Sequence, residues 1–228
     1  MKTFSTLDEW FMERRAKFTS SENYKLLKDD KVGQIFGAGA WTYIEQKAVE
    51  QSSVVWERPE LEEVSSLLYG KVHEFPAYEW YINHTKNYSM KYVGTETPIF
   101  LEDEDIKGEA GGSPDGISIT DSFEIDLGLE NKCPKNPVLH FRRLLWKDQW
   151  DLKQNYLSCY TQIQDLLRIS KCQEWHFLSF DDRQRNFKDK GKIIVVKSEK
   201  RFQDNLELRI RKASEEKYKM LREREMIK

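Results

Sequence analysis

The sequence predicts an α/β fold in which helices flank a small mixed central sheet. Segments with apolar residues three and four positions apart predict helices, and short segments with alternating apolar residues predict strands. The chain is 39% hydrophobic and 33% charged, with seven Trp and twelve Phe, which is typical of a globular protein and not of a disordered one. Its 228 residues fit a single domain, 1–228, with a core at about 10–200 and a charged C-terminal helix at about 201–228.

The first quarter of the chain predicts short helices separated by loops. Residues 3–15 have the pattern of a short amphipathic helix. Thr19 and Glu22 have the spacing of a capping box and predict the start of a second helix. Residues 30–58 have no clean period, so we expect a loop there with one helix near residues 42–51.

From Pro59 onwards the predicted elements are longer. Pro59 opens a strong helical pattern that continues to about residue 84, and Pro76 inside it is expected to kink or end the helix. Residues 150–169 predict another helix. Residues from 202 to the end predict a long charged helix with Leu206, Ile210 and Tyr218 on its apolar side and solvated, mixed charges elsewhere. The predicted strands are 88–93, 97–101, 117–120, 123–132, 174–180 and 192–196, of which the third and fourth form a hairpin.

Composition excludes several classes of protein. No stretch has the apolar length of a membrane span, and the N-terminal residues lack the hydrophobic region of a signal peptide, so we expect no membrane partner. Cys133, Cys159 and Cys172 form an odd set without CxxC spacing. This argues for a reducing compartment and against a disulfide framework or a cysteine-held zinc or iron–sulfur site.

The charges are unevenly distributed although the net charge is only −2. Residues 96–130 contain eleven acids and one base, Lys107, whereas residues 131–228 contain 24 Lys and Arg against 14 Asp and Glu. An acidic cluster beside a basic region fits a metal site next to a surface that could hold a polyanion.

The segment around residues 112–134 contains the strongest chemical signal. Asp115 lies on a Pro-Gly turn, and Glu130 and Lys132 are two residues apart on the next extended segment, so their side chains share one face. If residues 116–129 fold back as a hairpin, Asp115 meets them. Two carboxylates and a lysine that lie close together can bind a hard divalent metal and polarise a water molecule. Such an arrangement is suited to hydrolysis of a phosphodiester.

Each of these residues also has a simpler interpretation. Asp115 in a Pro-Asp-Gly sequence could be an ordinary turn residue. Glu130 and Lys132 could be an exposed pair on a strand, but apolar neighbours such as Leu127 and Leu129 indicate a buried strand, in which unpaired charges are costly. The spacing therefore favours the nuclease interpretation.

Four ordered segments extend this pattern over residues 10–200. Ser113-Pro114-Asp115 with Glu130-Asn131-Lys132 resembles the PD-(D/E)xK nuclease motif, and the surroundings resemble the phage lambda exonuclease (YqaJ-like viral recombinase) family. The other three segments are Arg14-Arg15-Ala16-Lys17-Phe18-Thr19-Ser20-Ser21, Gly70-Lys71-Val72-His73-Glu74-Phe75-Pro76-Ala77 and Tyr160-Thr161-Gln162-Ile163-Gln164. The resemblance implies a restriction-endonuclease-like core.

The resemblance also implies roles for the site residues. Asp115, Glu130 and the backbone carbonyl of Asn131 would bind Mg²⁺ or Mn²⁺, and Glu74 would support a second ion or its waters. Lys132 would orient or help to deprotonate the attacking water, and Gln162 would hold the water or the lysine.

A terminal phosphate has its own implied site. By the same resemblance, Arg14 and Ser21 would grip a 5′-terminal phosphate, for which an arginine fork and helical N–H groups are suited.

The chain departs from the family pattern at three places. Asn131 replaces an apolar residue, Ala16 replaces a glycine, and residues 137–154, with Arg142 and Arg143, do not align.

We therefore expect a metal-dependent exonuclease that degrades the 5′-ended strand of linear double-stranded DNA and leaves 3′ single-stranded tails for recombination. The resemblance further implies a ring-shaped homotrimer, a single-strand annealing protein as partner, and a phage or prophage origin in the cytoplasm of a bacterial host. The alternatives are an endonuclease of the same fold, a Cas4-like exonuclease, whose cluster the cysteine count disfavours, and a non-catalytic DNA-binding recombination scaffold.

Overall fold

The computed structural model describes residues 1–27, 34–54, 65–94 and 97–227. The helices of these residues are α1 (Leu7–Arg14), α2 (Ala38–Ser52), α3 (Ser65–Thr85), α4 (Pro137–Leu144), α5 (Gln149–Asn155), α6 (Leu157–Ser170) and α7 (Lys200–Glu223). The strands are β1 (Lys2–Thr3), β2 (Phe18–Thr19), β3 (Lys91–Tyr92), β4 (Ile99–Glu102), β5 (Ala110–Gly112), β6 (Gly116–Ile119), β7 (Ile125–Lys132), β8 (Glu174–Phe180) and β9 (Gly191–Lys197). Two short 3₁₀ helices cover Asn23–Leu27 and Phe187–Lys190.

The central sheet has five strands in the order β3-β6-β7-β8-β9. β7 and β8 are parallel, and their connection runs through α4, α5 and α6, because parallel neighbours need a long crossover. The other pairs are antiparallel, including the β6–β7 hairpin. A second sheet of four short strands has the order β1-β4-β5-β2.

The two faces of the central sheet are covered by different helices. On one face α6 packs on β8 and β9, with Ile163, Trp175 and Phe177 fully buried. On the other face α3 packs on β7 and β8, with Tyr81 and Leu178 fully buried. The strand that carries Glu130 and Lys132 thus lies in the middle of the molecule, where burial of apolar area on both faces fixes its position.

The hairpin, α2, α3 and the strands β8 and β9 confirm the sequence predictions. Pro76 lies inside α3, which continues through it to Thr85. The predicted start of this helix at Pro59 lies outside the described residues.

Predictions near the N-terminus were wrong in part. The helix predicted over residues 3–15 begins at Leu7, because Thr6 and Glu9 form a capping box there. The Thr6 hydroxyl accepts from the Glu9 N–H, and the Glu9 carboxylate accepts from the Thr6 N–H. Residues 2 and 3 instead form β1 against β4. Thr19 does not start an α-helix: it ends β2, which pairs with β5, and a 3₁₀ helix follows.

Two predictions in the C-terminal half also need correction. The helix predicted over residues 150–169 is two helices, because Tyr156 between α5 and α6 has a non-helical backbone, φ −148° and ψ 59°. α7 confirms the predicted apolar side, because Leu206 and Ile210 are fully buried against α2 and the first 3₁₀ helix. The prediction of solvated charges was wrong in part, because Lys217 is only 1% exposed. No helix within the described ranges is long and apolar enough to cross a membrane.

Gly128 of β7 lies directly beside Trp175 of β8, and a Cβ at this glycine would come within 2.1 Å of the buried indole. We expect Gly128→Ala to lower the free energy of unfolding by about 1–3 kcal/mol, as other overpacked cores do. Urea unfolding measures this change. Gly39→Ala in α2 is the control, because no atom lies within 4 Å of its added Cβ; alanine there should stabilise by up to ~1 kcal/mol. Equal effects of the two substitutions would contradict the close packing.

Candidate active site

The β6–β7 hairpin brings Asp115 to the end of β7. Gly116 pairs with Leu129, and the Asp115 N–H donates to the Leu129 carbonyl at 3.1 Å. The Asp115 carboxylate in turn accepts from the Asn131 N–H at 2.7 Å. The turn carboxylate is therefore fixed by backbone hydrogen bonds beside the segment that contains Glu130 and Lys132.

Glu130 and Lys132 form an ion pair, with 2.5 Å between the Lys132 Nζ and one carboxylate oxygen, Oε1. Glu130 is completely buried, and its second oxygen, Oε2, has no hydrogen-bond partner among the described residues. Lys132 remains partly exposed. A buried carboxylate oxygen without a hydrogen-bond partner costs free energy in the folded protein. Binding of a cation or a water molecule to this oxygen would offset that cost.

The three carboxylates of the site are crowded and poorly solvated. Burial, and then the charge of Asp115, raise the pKa of Glu130 to about 8, although Lys132 opposes the shift. The same two causes raise the pKa of Glu74 to about 7, against the opposing charges of Lys132 and Lys71. Burial also raises the pKa of Asp115. The arrangement therefore favours added positive charge.

The carboxylates in turn stabilise the charged form of Lys132. Burial lowers the pKa of its ammonium group, but the charges of Glu130 and Asp115 outweigh burial, so the pKa lies well above its ordinary value.

One cavity of about 290 Å³ collects the predicted site residues. It is lined by Asp115, Glu130, Lys132, Glu74, Gln162, Arg14 and Ser21. Gln162 comes from α6 and is 8% exposed. The cavity thus brings together elements that are far apart in the chain: α1, α3, the β6–β7 hairpin and α6.

Asn131 contacts the site through its backbone, whereas its side chain lies on the opposite side of the strand. Its amide donates to the carbonyl of Glu74 at 3.3 Å, and the Cys133 thiol donates to its side-chain oxygen at 3.5 Å. The Asn131 side chain therefore connects the N-terminal half of α3 to β7. Because this side chain points away from Asp115 and Glu130, asparagine in place of the family's apolar residue does not alter the two carboxylates.

Arg14 lies at one end of the cavity, stacked on Trp10 with 4.3 Å between the guanidinium carbon and the ring centroid. It donates to the hydroxyls of Ser21 at 3.4 Å and Ser113 at 3.3 Å. No described carboxylate lies at ion-pair distance from it, and burial lowers its pKa. A guanidinium whose described contacts are two hydroxyls and an aromatic ring is suited to an anion such as phosphate.

Ala16 supports this end of the cavity in an unusual conformation. Its φ of 61° lies in the left-handed region, where glycine is favoured, which explains why glycine is the expected residue here. Its N–H donates to Glu50 at 2.8 Å, and its carbonyl accepts from Lys217 at 3.1 Å. These two contacts hold the backbone in place despite the Cβ.

The residues at the carboxylates fit a divalent cation. Asp115 and Glu130 supply carboxylate oxygens, one of them unpartnered, and hard cations such as Mg²⁺ use one or two carboxylates and keep several waters. Within the described part of the chain, no group of three or more His, Cys, Asp or Glu side chains is arranged to hold a metal ion. Participation of Glu74 and a count of two ions therefore stay predictions.

The sequence interpretation gave no site role to several lining residues, of which Trp10, Ser113 and Lys71 are polar. Ser113 accepts from both the Trp10 indole at 2.9 Å and Arg14, although the motif had drawn attention only to its neighbour Asp115. Lys71 lines the cavity one helical turn before Glu74, and three-residue spacing on a helix was the signal for a shared face.

The chain is similar to solved exonuclease structures over nearly its whole length. An alkaline exonuclease from Laribacter hongkongensis has a TM-score of 0.70 at 19% identity, covering 95% of this chain and 97% of its own. The same enzyme in complex with dAMP has a TM-score of 0.72 with the same identity and coverage. A phage-related exonuclease from Haemophilus somnus 129PT has a TM-score of 0.66 at 12% identity, covering 93% and 99%.

No protein-family model and no curated protein matches the sequence significantly. The structural similarity confirms the predicted restriction-endonuclease-like α/β fold and, at the level of the fold, the resemblance to the lambda exonuclease family.

If the buried carboxylates are a cation site, Mg²⁺ will stabilise the folded protein. At a free concentration ten times the dissociation constant, binding adds ~1.4 kcal/mol, which raises the Tm of a chain of this size by about 3–6 °C. Thermal unfolding with increasing Mg²⁺ measures this rise. Glu130→Gln should abolish the Mg²⁺-dependent rise, measured from its own Tm, whereas Glu104→Gln, at an exposed carboxylate, should retain it. A flat wild-type curve would contradict the cation site.

Proposed function

We propose that this protein is a metal-dependent exonuclease of the lambda exonuclease type that degrades the 5′-ended strand of linear double-stranded DNA. The observation that carries this proposal is the shared cavity, in which the Asp115, Glu130 and Lys132 cluster faces Arg14 with its two serine hydroxyls. A hydrolytic centre and an anion pocket in one cavity suit a substrate with two phosphates one nucleotide apart.

The reaction is hydrolysis of a phosphodiester. A water oxygen forms a bond to phosphorus in line with the P–O3′ bond, which breaks, and the 3′ oxygen leaves as a hydroxyl after taking up a proton. A divalent cation held by Asp115, Glu130 and the Asn131 carbonyl would supply positive charge at the attacking and leaving oxygens.

The protein's own residues would position the water and the phosphate. The Lys132 ammonium lies beside Glu130, where it can donate to the attacking water or to a phosphate oxygen. Glu74 and Gln162 line the same space and can accept from or donate to waters around the phosphate. Burial on both sides of β7 keeps these groups in fixed positions, which favours catalysis by orientation.

The Arg14 pocket would bind the terminal 5′-phosphate and so restrict cutting to chain ends. Arg14, Ser21 and Ser113 supply the donors, and Trp10 holds the guanidinium plane. Breaking the P–O3′ bond leaves a new 5′-phosphate on the shortened strand, so the pocket can receive the next end after each cut. The released product would be a 5′-mononucleotide, the class to which the dAMP bound to the Laribacter enzyme belongs.

Further parts of the proposal depend on the resemblance. We propose one catalytic domain over residues 1–228, 3′ single-stranded tails as the second product, assembly into a ring-shaped homotrimer, a single-strand annealing protein as partner, and action in the cytoplasm of a bacterial host.

Linear duplex DNA labelled separately at its 5′ and 3′ ends tests the activity. With Mg²⁺ we expect release of mononucleotides from 5′ ends and none with chelator. Because Lys132 contacts the reacting groups, Lys132→Ala should lower the rate by about 10²–10³-fold. Closed circular DNA should stay intact; if it is cut, the protein is an endonuclease, and binding of linear DNA without cutting would indicate a scaffold.

The role of Arg14 is tested with 5′-phosphorylated and 5′-hydroxyl ends of the same duplex. The wild type should prefer the phosphorylated end by about 10–100-fold, as expected for a charge-assisted contact, and Arg14→Gln should remove the preference. Arg15→Gln is the matched control, because Arg15 donates to the Glu50 and Ser53 carbonyls and does not line the cavity. Loss of the preference in both variants would contradict a phosphate site at Arg14.

A further inference from the structure

A second, larger cavity adjoins the catalytic cluster. Its volume is about 930 Å³, and it shares Lys71, Glu74 and Lys132 with the cavity that contains Arg14. Its remaining wall comes from α3, from the end of β7 and the residues that follow it, from α4 and from Tyr156 between α5 and α6. α4 belongs to the segment of residues 137–154 that the motif comparison could not align. The two cavities therefore meet at the point where a phosphodiester would be cut.

Arg143 of α4 contributes a buried charge to this second cavity. It is 7% exposed, and its guanidinium carbon lies 4.7 Å from the Tyr156 ring centroid and 5.8 Å from that of Phe177. Its Nη1 donates to the Ser179 hydroxyl at 3.4 Å. Stacking on two rings orients the planar guanidinium, as at sites that bind phosphate.

Strand register places this guanidinium beside the catalytic lysine. Ser179 of β8 is paired with Lys132 of β7, and paired residues of neighbouring strands point to the same face of the sheet. Arg143 therefore approaches the face of the sheet that Lys132 occupies, at the neighbouring strand, and both residues line the second cavity.

The charge of Arg143 is not neutralised within the described part of the chain. No described carboxylate lies at ion-pair distance from it, and burial lowers its pKa. The cavity is lined by the cationic residues Lys71, Lys132, Lys135 and Arg143 and by one carboxylate, Glu74. A buried arginine without a carboxylate costs free energy in the free protein, and an anion in the cavity would compensate for this cost.

We propose that the second cavity holds the scissile strand on the 3′ side of the cut, with Arg143 bound to the first backbone phosphate beyond the scissile one. This inference rests on the proposed function. The terminal phosphate occupies the Arg14 pocket, the scissile phosphate lies at Asp115, Glu130 and Lys132, and the next phosphate reaches Arg143. The strand is thus held at both sides of the reacting bond, so Arg143 acts as a positioning residue.

The test removes the charge of a single phosphate from the substrate. In a 5′-phosphorylated duplex, a neutral methylphosphonate replaces the second linkage from the 5′ end, and release of the first nucleotide is followed in single turnover at several enzyme concentrations. For the wild type we expect the half-saturating enzyme concentration to rise about 10–100-fold, as expected for loss of a charge-assisted hydrogen bond. A methylphosphonate at the tenth linkage is the substrate control and should have no such effect.

Variants then connect the effect to Arg143. Arg143→Gln should bind the ordinary duplex as weakly as the wild type binds the modified one, and it should be insensitive to the second-linkage modification. Arg143→Lys should retain part of the sensitivity. Arg142→Gln, at the exposed neighbouring position, should behave like the wild type.

The outcomes separate the two proposals. If the wild type digests both duplexes equally, the Arg143 assignment is overturned while the exonuclease activity stands. If the wild type digests neither the modified nor the unmodified duplex, the proposed function itself fails. If Arg143→Gln weakens binding but remains sensitive to the second-linkage modification, Arg143 has only a structural role. If the glutamine variant does not fold, Arg143→Lys on the same two duplexes decides, because a sensitivity equal to that of the wild type would overturn the assignment.

Discussion

The burial of carboxylates beside a single lysine at the end of β7 is the constraint on which the other features of this protein depend. Glu130 is fully buried with one oxygen that has no hydrogen-bond partner among the described residues, and Asp115 and Glu74 add further negative charge nearby. Such a cluster costs free energy, so it persists only where the surrounding structure holds it in place. That is the role of the central sheet, in which α3 and α6 cover the two faces, and of the hairpin, whose backbone hydrogen bonds fix Asp115.

The buried charges of the protein fall into two groups, and the difference indicates which are functional. Arg168 contacts Asp103 at 2.6 Å and Asp165 at 2.8 Å, and Lys217 contacts Glu109 at 2.6 Å. These compensated charges join α6 and α7 to the second sheet and serve the fold. Arg14 and Arg143, by contrast, have only hydroxyls and aromatic rings as described side-chain contacts, and they lie in the two cavities that meet at the carboxylates. Uncompensated cations on both sides of a hydrolytic centre are what a polyanionic strand requires.

The part of this arrangement that the sequence predicts is local. Glu130 and Lys132 share a face because strand periodicity is two, and Asp115 reaches them because a short hairpin returns the chain. The two- and three-residue strands β1, β2 and β5 were not predicted, because they have pairing partners almost one hundred residues away and a pair of residues has no period. The burial of Lys217 and Arg209 in α7 was missed for a related reason: their partners, Glu109 and the Leu26 carbonyl, are distant in sequence. Arg143 escaped notice because only the register of β7 and β8 shows that it lies near Lys132.

The central claim is that Asp115 and Glu130 form a cation site, and crystals of the protein grown with Mn²⁺ would test it most directly. An anomalous difference map at the manganese absorption edge locates the ion independently of any activity. The account predicts a peak at ligand distance from carboxylate oxygens of Asp115 and Glu130, and the loss of this peak in Glu130→Gln. The ligands should include the Glu130 Oε2, which has no partner in the part of the chain that the structure describes. A map with no peak there, or with manganese bound only elsewhere, would contradict the account.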